Sequence, residues 1–506
     1  MNYQMRLIDL MSVVESDTVS TTLITGMSLD SRQLKPRDLF IALATNPEVR
    51  AQHIQQAIEA DVTAVCYSTE LPLEPELIQQ VSDANIELVA VDQLNDKTSR
   101  LAAAFYQYPS AVMTIFAVTG TNGKTSVTQF IAQALENAGQ PCGVIGTLGS
   151  GRLNELKHNG MTTPDPIRLQ ATLAEMRDAG IQYVALEASS HALEQGRLAF
   201  VDINFAILTN LSRDHLDYHQ TMEDYTAAKQ RLFSFASLQA AVVNADDEFG
   251  QKLLSLLNSE QITCIKYSCK DSQANIYASA MGATTNGLQF NLQLHQQNVA
   301  INTRLLGKFN VENMLATAGA LTLLDWPVAQ IAQALNHLVS VNGRMQMLAS
   351  SLQPSVVIDF AHTPDALAKA LQGMRQHMES ESRLWCVFGC GGDRDKGKRP
   401  LMGQIASELA DKVVLTDDNP RGESSAEIIQ QILVGCLTDT DIHIEADRQQ
   451  AIEFAVMDSA LEDMVLIAGK GHEQYQEVSG VKTPFNDYEI AMQALQKRHS
   501  VTRVTL

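Results

Sequence analysis

Short uninterrupted apolar runs, separated by stretches of helical period, set the hydrophobic pattern of this chain. Among the first hundred residues these runs are Asp38-Leu-Phe-Ile-Ala-Leu43 and Thr63-Ala-Val-Cys-Tyr67. Next come Met113-Thr-Ile-Phe-Ala-Val118, Gln182-Tyr-Val-Ala-Leu186, Asn204-Phe-Ala-Ile-Leu208 and Ala240-Ala-Val-Val243. Continuous apolar strands interleaved with helices predict a mostly parallel sheet covered on both faces. Between 275 and 305 the period shortens to alternation about Asn286-Gly287, which predicts antiparallel hairpin structure appended to that sheet. From 343 onward the first rhythm returns, in Ser355-Val-Val-Ile-Asp-Phe360, Leu384-Trp-Cys-Val-Phe388, Lys412-Val-Val-Leu-Thr416 and Asp463-Met-Val-Leu-Ile467. The expectation is an α/β chain of three domains. They are a small N-terminal α/β domain over 1–103, a central domain over 104–342 and a Rossmann-like C-terminal domain over 343–506.

Composition narrows the function classes. The net charge of −21 argues against a general nucleic-acid binder but leaves room for a local nucleotide pocket. The amino terminus mixes charges into its apolar residues and reads poorly as a signal peptide, and no stretch reaches the apolar length of a spanning helix. Seven scattered cysteines read as reduced thiols. Cys264 and Cys269 lack partners in zinc spacing. A cytoplasmic chain without membrane insertion is expected.

The candidate chemistry begins where the run ending at Val118 meets Thr119-Gly-Thr-Asn-Gly-Lys-Thr-Ser126 and then a helical pattern. A glycine-rich turn between strand and helix aims backbone N–H groups at phosphate oxygens, and the helix start adds positive potential. Lys124 supplies a mobile cation and the Thr125 hydroxyl a magnesium ligand. Gly120 and Gly123 make a shorter loop than the general P-loop pattern, whose first glycine would fall at Val118.

This loop resembles the ATP loop of the Mur ligases and their folylpolyglutamate synthase relatives, and the resemblance runs from Ser28 to Asp487. It implies a UDP-sugar-binding first domain, an ATP-binding P-loop centre and an amino-acid-binding third domain. Gly120, Thr121, Asn122, Gly123, Lys124, Thr125 and Ser126 would hold ATP, joined by Asn313, Arg344, Asp359 and His362, with domain closure assembling the site. Glu187, in Leu186-Glu-Ala-Ser-Ser-His191, pairs with Thr125 as a magnesium site, and His215 resembles the ligand of a second magnesium. Asp214, Asp217 and His219 allow a plainer reading as loop-solvating residues, favoured for the last two. By helical position alone Lys229 is an ordinary surface lysine. The family match makes it N6-carboxylysine, a carbamate that helps hold metal. Lys124, Glu187, His215 and Lys229 are then the catalytic set.

The same resemblance places the UDP-sugar on Leu29, Ser31, Thr162, Thr163, Ser189, Gln195 and Arg197, with Arg197 as phosphate partner. Two departures stand out. Ala44-Thr-Asn-Pro-Glu-Val-Arg-Ala-Gln-His53 replaces a glycine-containing loop, and Met161 stands where asparagine is common. In the last segment, Asp418-Asn419-Pro420-Arg421 resembles the motif of diaminopimelate-adding members. A planar guanidinium at Arg421 suits the carboxylate that lysine lacks. Arg394, Gly469 and Glu473 complete the amino-acid contacts, Glu473 facing the distal ammonium. The implied substrates are meso-diaminopimelate, ATP and a UDP-MurNAc-dipeptide, used by a monomer. A lysine-adding relative, a folylpolyglutamate synthase and a non-catalytic nucleotide-binding regulator are the competing readings. Arg421, the first segment and the intact transfer residues count against them in turn.

Overall fold

The computed structural model describes residues 3–16, 18–158, 160–285, 287–348 and 353–504, and the backbone alone for 217 and 501–504. Asn286, the expected hairpin residue, lies outside them. The chain forms two compact units, 1–243 with 247–265, and 244–246 with 266–506.

In the first unit, β1 (Gly26–Ser28), β2 (Asp38–Ala42), β3 (Ala64–Ser68) and β4 (Glu87–Val91) pair in chain order as a parallel sheet. Helix α1 (Pro47–Glu59) follows β2. It starts inside the stretch 44–53, which the resemblance assigns to a loop. Asn46 caps it by accepting from Val49 N, and Pro47 sits at the first position, where a missing N–H costs nothing.

A larger sheet in this unit contains β5 (Thr114–Thr119), β6 (Cys142–Gly146), β7 (Gly149–Gly151), β8 (Tyr183–Glu187), β9 (Phe205–Leu208) and β10 (Ala240–Asn244). The order is β10-β9-β5-β8-β6-β7, parallel apart from the β6–β7 pair. Helix α2 (Lys124–Asn137) leaves the end of β5, and α3 (Met222–Gln230) follows β9. The chain order reverses at β5, which lies between β8 and β9. The loops after these three strands therefore face one crevice, where an open α/β sheet binds its ligand.

The second unit begins with antiparallel β11 (Ile276–Thr284), β12 (Gly287–Leu294) and β13 (Gln297–Thr303), the hairpin structure that the alternation predicts. Helix α4 (Phe309–Thr322) is buried through most of its length. The C-terminal sheet comprises β14 (Gln346–Leu348), β15 (Ser355–Asp359), β16 (Leu384–Phe388), β17 (Lys412–Leu415), β18 (Asp441–Ile444) and β19 (Met464–Ala468). Its order is β14-β15-β19-β16-β17-β18, with only β14 antiparallel. Alternate residues enter two cores. Val357, Cys386 and Leu466 pack on one face, while Val356, Ile358, Val387, Val465 and Ile467 pack on the other. Burial on both sides makes these strands continuous apolar runs. A hairpin of β20 (Tyr475–Val478) and β21 (Val481–Pro484) follows.

Candidate active site

The loop between β5 and α2 is built from glycine geometry and side-chain struts. Gly120 has φ +147°, and a Cβ there would stand 1.9 Å from Thr209 Oγ1, so the strand end after β9 presses directly on it. Thr209 Oγ1 donates to Asn122 O at 2.6 Å, and the Asn210 side chain accepts from Asn122 N at 3.0 Å and donates to its carbonyl at 3.1 Å. Thr121 Oγ1 donates to Ser212 O and accepts from Ser212 N. Gly123, at φ +87°, opens α2. A helix start of this kind carries the positive potential that suits phosphate.

Glu187 ends β8 almost fully buried. Its Oε2 accepts from Thr125 Oγ1 at 3.0 Å and from Thr147 Oγ1 at 3.1 Å, and Oε1 accepts from Thr147 N at 2.8 Å. Gly146 leaves room for that carboxylate, since a Cβ there would stand 2.2 Å from Oε1. Lys124 Nζ donates to Gly120 O and Thr121 O, both at 2.9 Å.

Lys229 corrects the surface reading. It is 1% exposed on α3, and its Nζ donates at 2.7 Å to Gly120 O, the carbonyl that Lys124 also uses. The side chain lies over the Tyr225 ring at 4.5 Å. Burial, and then the charge of Lys124, hold this amine well below the ordinary lysine range, against a smaller opposing pull from Asp214. Tyr225 OH meets Thr121 Oγ1 at 3.2 Å and the Tyr225 ring is 6.1 Å from that of His215, so His215 joins the same wall. His215 Nε2 is 3.5 Å from Asp214 Oδ2. His219 does not solvate the loop. It is 4% exposed, with Nε2 2.9 Å from Ser190 Oγ.

Beside Glu187, Thr147 Oγ1 lies 3.1 Å from Thr162 Oγ1, and Thr163 Oγ1 donates to Glu187 O at 2.6 Å with Ser189 Oγ 3.1 Å away. Arg197 donates to Gln195 Oε1 and Thr163 O, and reaches Met161 Sδ at 3.5 Å. Met161 thus extends the same cluster. Ser31 is occupied with Gln56 Oε1 at 2.5 Å, and Leu29 packs on the N-terminal core.

In the second unit, Asn313 is buried on α4 and donates to Asn310 Oδ1. The Arg344 guanidinium lies 4.6 Å over Phe360. Asp359 accepts from Met345 N at 2.7 Å, and burial raises its carboxyl despite the opposing charge of Arg344. His362 Nδ1 is 2.8 Å from Phe360 O.

The loops after β16, β17 and β19 interlock. Arg421, at φ +53°, donates through Nη1 to Gly392 O at 2.8 Å, with Nε 3.6 Å from Glu477 Oε2. Arg399, with no exposed side-chain surface, clamps Glu423 through both Nη atoms, and Lys396 and Asp393 N also bind that carboxylate. Arg394 branches from the same loop beside Gly391. Gly469, at φ +115°, holds a backbone conformation that other residues rarely adopt, and a Cβ there would stand 2.6 Å from Asp418 Oδ2. Pro420 meets the loop after β16 through backbone, since a Cβ on Gly392 would strike Pro420 O at 1.8 Å.

The Mur ligase middle-domain family model matches residues 118–321, and the Mur ligase glutamate-ligase-domain model matches 343–471. The chain belongs to the Mur ligase family. It is similar to the UDP-N-acetylmuramoyl-L-alanyl-D-glutamate--2,6-diaminopimelate ligase of Pseudomonas aeruginosa, 44% identical over 94% of this chain and 95% of that one. The ligase of the same name from Coxiella burnetii is 43% identical over 94% of this chain and 96% of its own. A solved structure under that name aligns at a TM-score of 0.71 with 36% identity, covering 99% of this chain and 100% of that one.

Within this Mur ligase, sequence reasoning missed four structural partners of the site. Thr147 holds Glu187, Asn210 holds the phosphate loop, Tyr225 covers Lys229, and Lys470 lies behind Glu473. Thr147 follows a strand containing two glycines, and Asn210 sits in a loop already flagged for other residues, so only strand-end position could have indicated them. The donor set fits magnesium. Thr125 and Glu187 offer hard oxygen donors, and among the described residues no group of three His, Cys, Asp or Glu side chains forms a cage. One or two protein oxygens completed by substrate phosphates is the usual magnesium arrangement.

Proposed function

We propose that this chain joins meso-2,6-diaminopimelate to the D-glutamate carboxylate of UDP-N-acetylmuramoyl-L-alanyl-D-glutamate, consuming ATP in cytoplasmic peptidoglycan synthesis. The observation that carries this is the pairing of a phosphate loop with a buried carboxylate. Glu187 contacts the Thr125 hydroxyl directly, while two lysine amines converge on Gly120 O.

In the first step a carboxylate oxygen of the dipeptide attacks the terminal phosphorus of ATP, and ADP departs. The amine of diaminopimelate then attacks the acyl carbon of that acyl phosphate. Inorganic phosphate leaves as the C–N bond forms, and the nitrogen gives up its proton. Lys124 and the α2 amides bind the phosphoryl oxygens as their charge redistributes. Thr125 and Glu187 would hold magnesium, with His215 and Lys229 assigned to a second ion. The metal supplies electrostatic stabilisation of phosphoryl charge.

Lys229 is proposed to work as its carbamate. Its neutral amine adds to carbon dioxide and loses a proton, leaving a carboxylate-like group in its place. The setting beside Lys124 favours this exchange, because burial and the Lys124 charge disfavour the protonated amine, while the carbamate faces Lys124 with the opposite charge. A Lys229→Ala variant that stays fully active would sink this assignment. Thr162, Thr163, Ser189, Gln195 and Arg197 are proposed to face the sugar diphosphate and peptide. Arg394, Asp418–Arg421, Gly469 and Glu473 are proposed to face diaminopimelate.

The test is phosphate release from ATP with the UDP-muramoyl dipeptide, comparing meso-diaminopimelate with L-lysine and weighing the product by mass. Release and a joined product with diaminopimelate are expected. Preference for lysine would overturn the Arg421 assignment, and silence with both would overturn the ligase reading.

A further inference from the structure

Lys470 is among the largest fully buried side chains, with no exposed side-chain surface. It follows Gly469 at the end of β19, and its Nζ contacts two residues assigned to the amino-acid site. It donates to Glu473 Oε2 at 2.9 Å and to Asn419 Oδ1 at 3.0 Å. Asn419 Nδ2 donates to the same Glu473 oxygen at 2.8 Å, and its Oδ1 also accepts from Glu477 N at 2.9 Å. Asn419 is 1% exposed, and its amide is tied into this network beside the proposed amino-acid site. Glu473 keeps 25% of its side-chain surface exposed.

We infer that Lys470 is a positioning residue for amino-acid selection, holding Glu473 Oε2 inward with Asn419 so that Oε1 alone faces the distal ammonium of the incoming diamino acid. This inference rests on the assignment of Glu473 as that ammonium's partner.

The geometry has a physical rationale. A glutamate side chain has three rotatable bonds, and an untethered one must be ordered when ligand binds. Two donors on one oxygen remove that freedom in advance and leave one oxygen open. The Lys470 charge also offsets the carboxylate in the empty site. A buried lysine needs such partners, because an unpaired charge without water is strongly disfavoured. The Tyr475 and Phe485 rings lie 5.9 and 6.0 Å from Nζ.

The test is a double-mutant cycle with Lys470→Met and Glu473→Gln. KM for diaminopimelate, KM for ATP, kcat and melting temperature are measured for each protein. The expected result is an increase of about ten-fold in KM for diaminopimelate in Lys470→Met, the loss of one charged hydrogen bond. KM for ATP should stay within two-fold, and Lys470→Met should have little further effect in the Glu473→Gln background. Multiplying effects in the double variant, or an unchanged KM for diaminopimelate in folded Lys470→Met, would overturn the inference. If Glu473→Gln alone leaves that KM unchanged, the underlying assignment of Glu473 falls instead. Should Lys470→Met not fold, Lys470→Gln tests the same lock by removing the charge and shortening the donor that reaches Oε2. A raised KM for diaminopimelate supports the inference, and an unchanged one overturns it.

Discussion

Gly391→Ala is the sharpest probe of the proposed diaminopimelate pocket, because it changes one group next to the Arg421 guanidinium and the Arg394 stem. An ideal Cβ at this position stands 2.9 Å from Arg421 Nη1 and 3.7 Å from Arg394 Cγ. Contact between such atoms relaxes near ~3.5 Å, so Nη1 has to retreat by about 0.6 Å. That movement strains or breaks the 2.8 Å hydrogen bond from Nη1 to Gly392 O, which orients the guanidinium. A hydrogen bond to a charged group contributes about 1.5–3 kcal/mol, which corresponds to roughly one to two decades in KM for diaminopimelate. Stability should not follow. The obstructing atom belongs to the far end of a flexible side chain, and removing glycine from the unfolded ensemble stabilises by about 0.4–1 kcal/mol where the backbone is compatible. Gly392 is the contrasting control, since its Cβ would strike Pro420 O at 1.8 Å and disturb the loop itself. Phosphate release gives KM and kcat for diaminopimelate, L-lysine and ATP, and a thermal melt reports folding. A folded Gly391→Ala protein with unchanged KM for diaminopimelate, or with equal losses for ATP, would refute the placement of Arg421.

Thr147→Val removes the 3.1 Å hydroxyl donor to Glu187 while leaving the backbone donor at 2.8 Å. A fall of about ten-fold in kcat is expected, with the melting temperature little changed, as steady-state kinetics and a melt would show. His377 accepts from Gly307 N through Nε2 and donates from Nδ1 to Thr284 O at 2.7 Å, so the neutral tautomer is built into the second unit. Burial lowers its pKa despite the Thr284 bond, so the native state binds fewer protons than the unfolded chain. Its contribution is complete above the unfolded value of about 6.5 and is lost as pH falls below it. Melts from pH 8 to 5 should show this decline, and it should shrink in His377→Ala. The Arg448–Asp487 pair has no exposed side-chain surface, with a bidentate contact at 2.8 Å. Asp487→Ala should cost about 3–5 kcal/mol in urea unfolding by stranding the guanidinium.

How far the sequence can be read follows from the range of the interactions involved. Strands such as Leu384–Phe388 and Phe205–Leu208 are legible because burial on both faces is written locally as continuous apolar residues. The glycine-rich loops at their ends are legible for the same local reason. Cys142–Gly146 escapes because two of its five residues are glycine, which weakens the strand signal, and Asp441–Ile444 because it is a short edge strand with partly exposed side chains. Lys229 fails differently. Its helix carries Glu223, Asp224, Thr226 and Gln230, and the atom that receives its hydrogen bond belongs to Gly120, 109 residues earlier. Asn419 and Lys470, 51 residues apart, present the same problem, and so do His219 and Ser190. A buried polar side chain is tolerated only where a partner waits, and that partner is set by topology rather than by neighbouring sequence. Periodicity assigns such residues to solvent, because in isolation that is where they belong. In this chain the error falls repeatedly on residues touching the phosphate loop or the amino-acid loops. A polar residue that the fold buries against the local pattern is therefore a pointer to the site, and Lys229 and Lys470 would be found by that criterion without any family comparison.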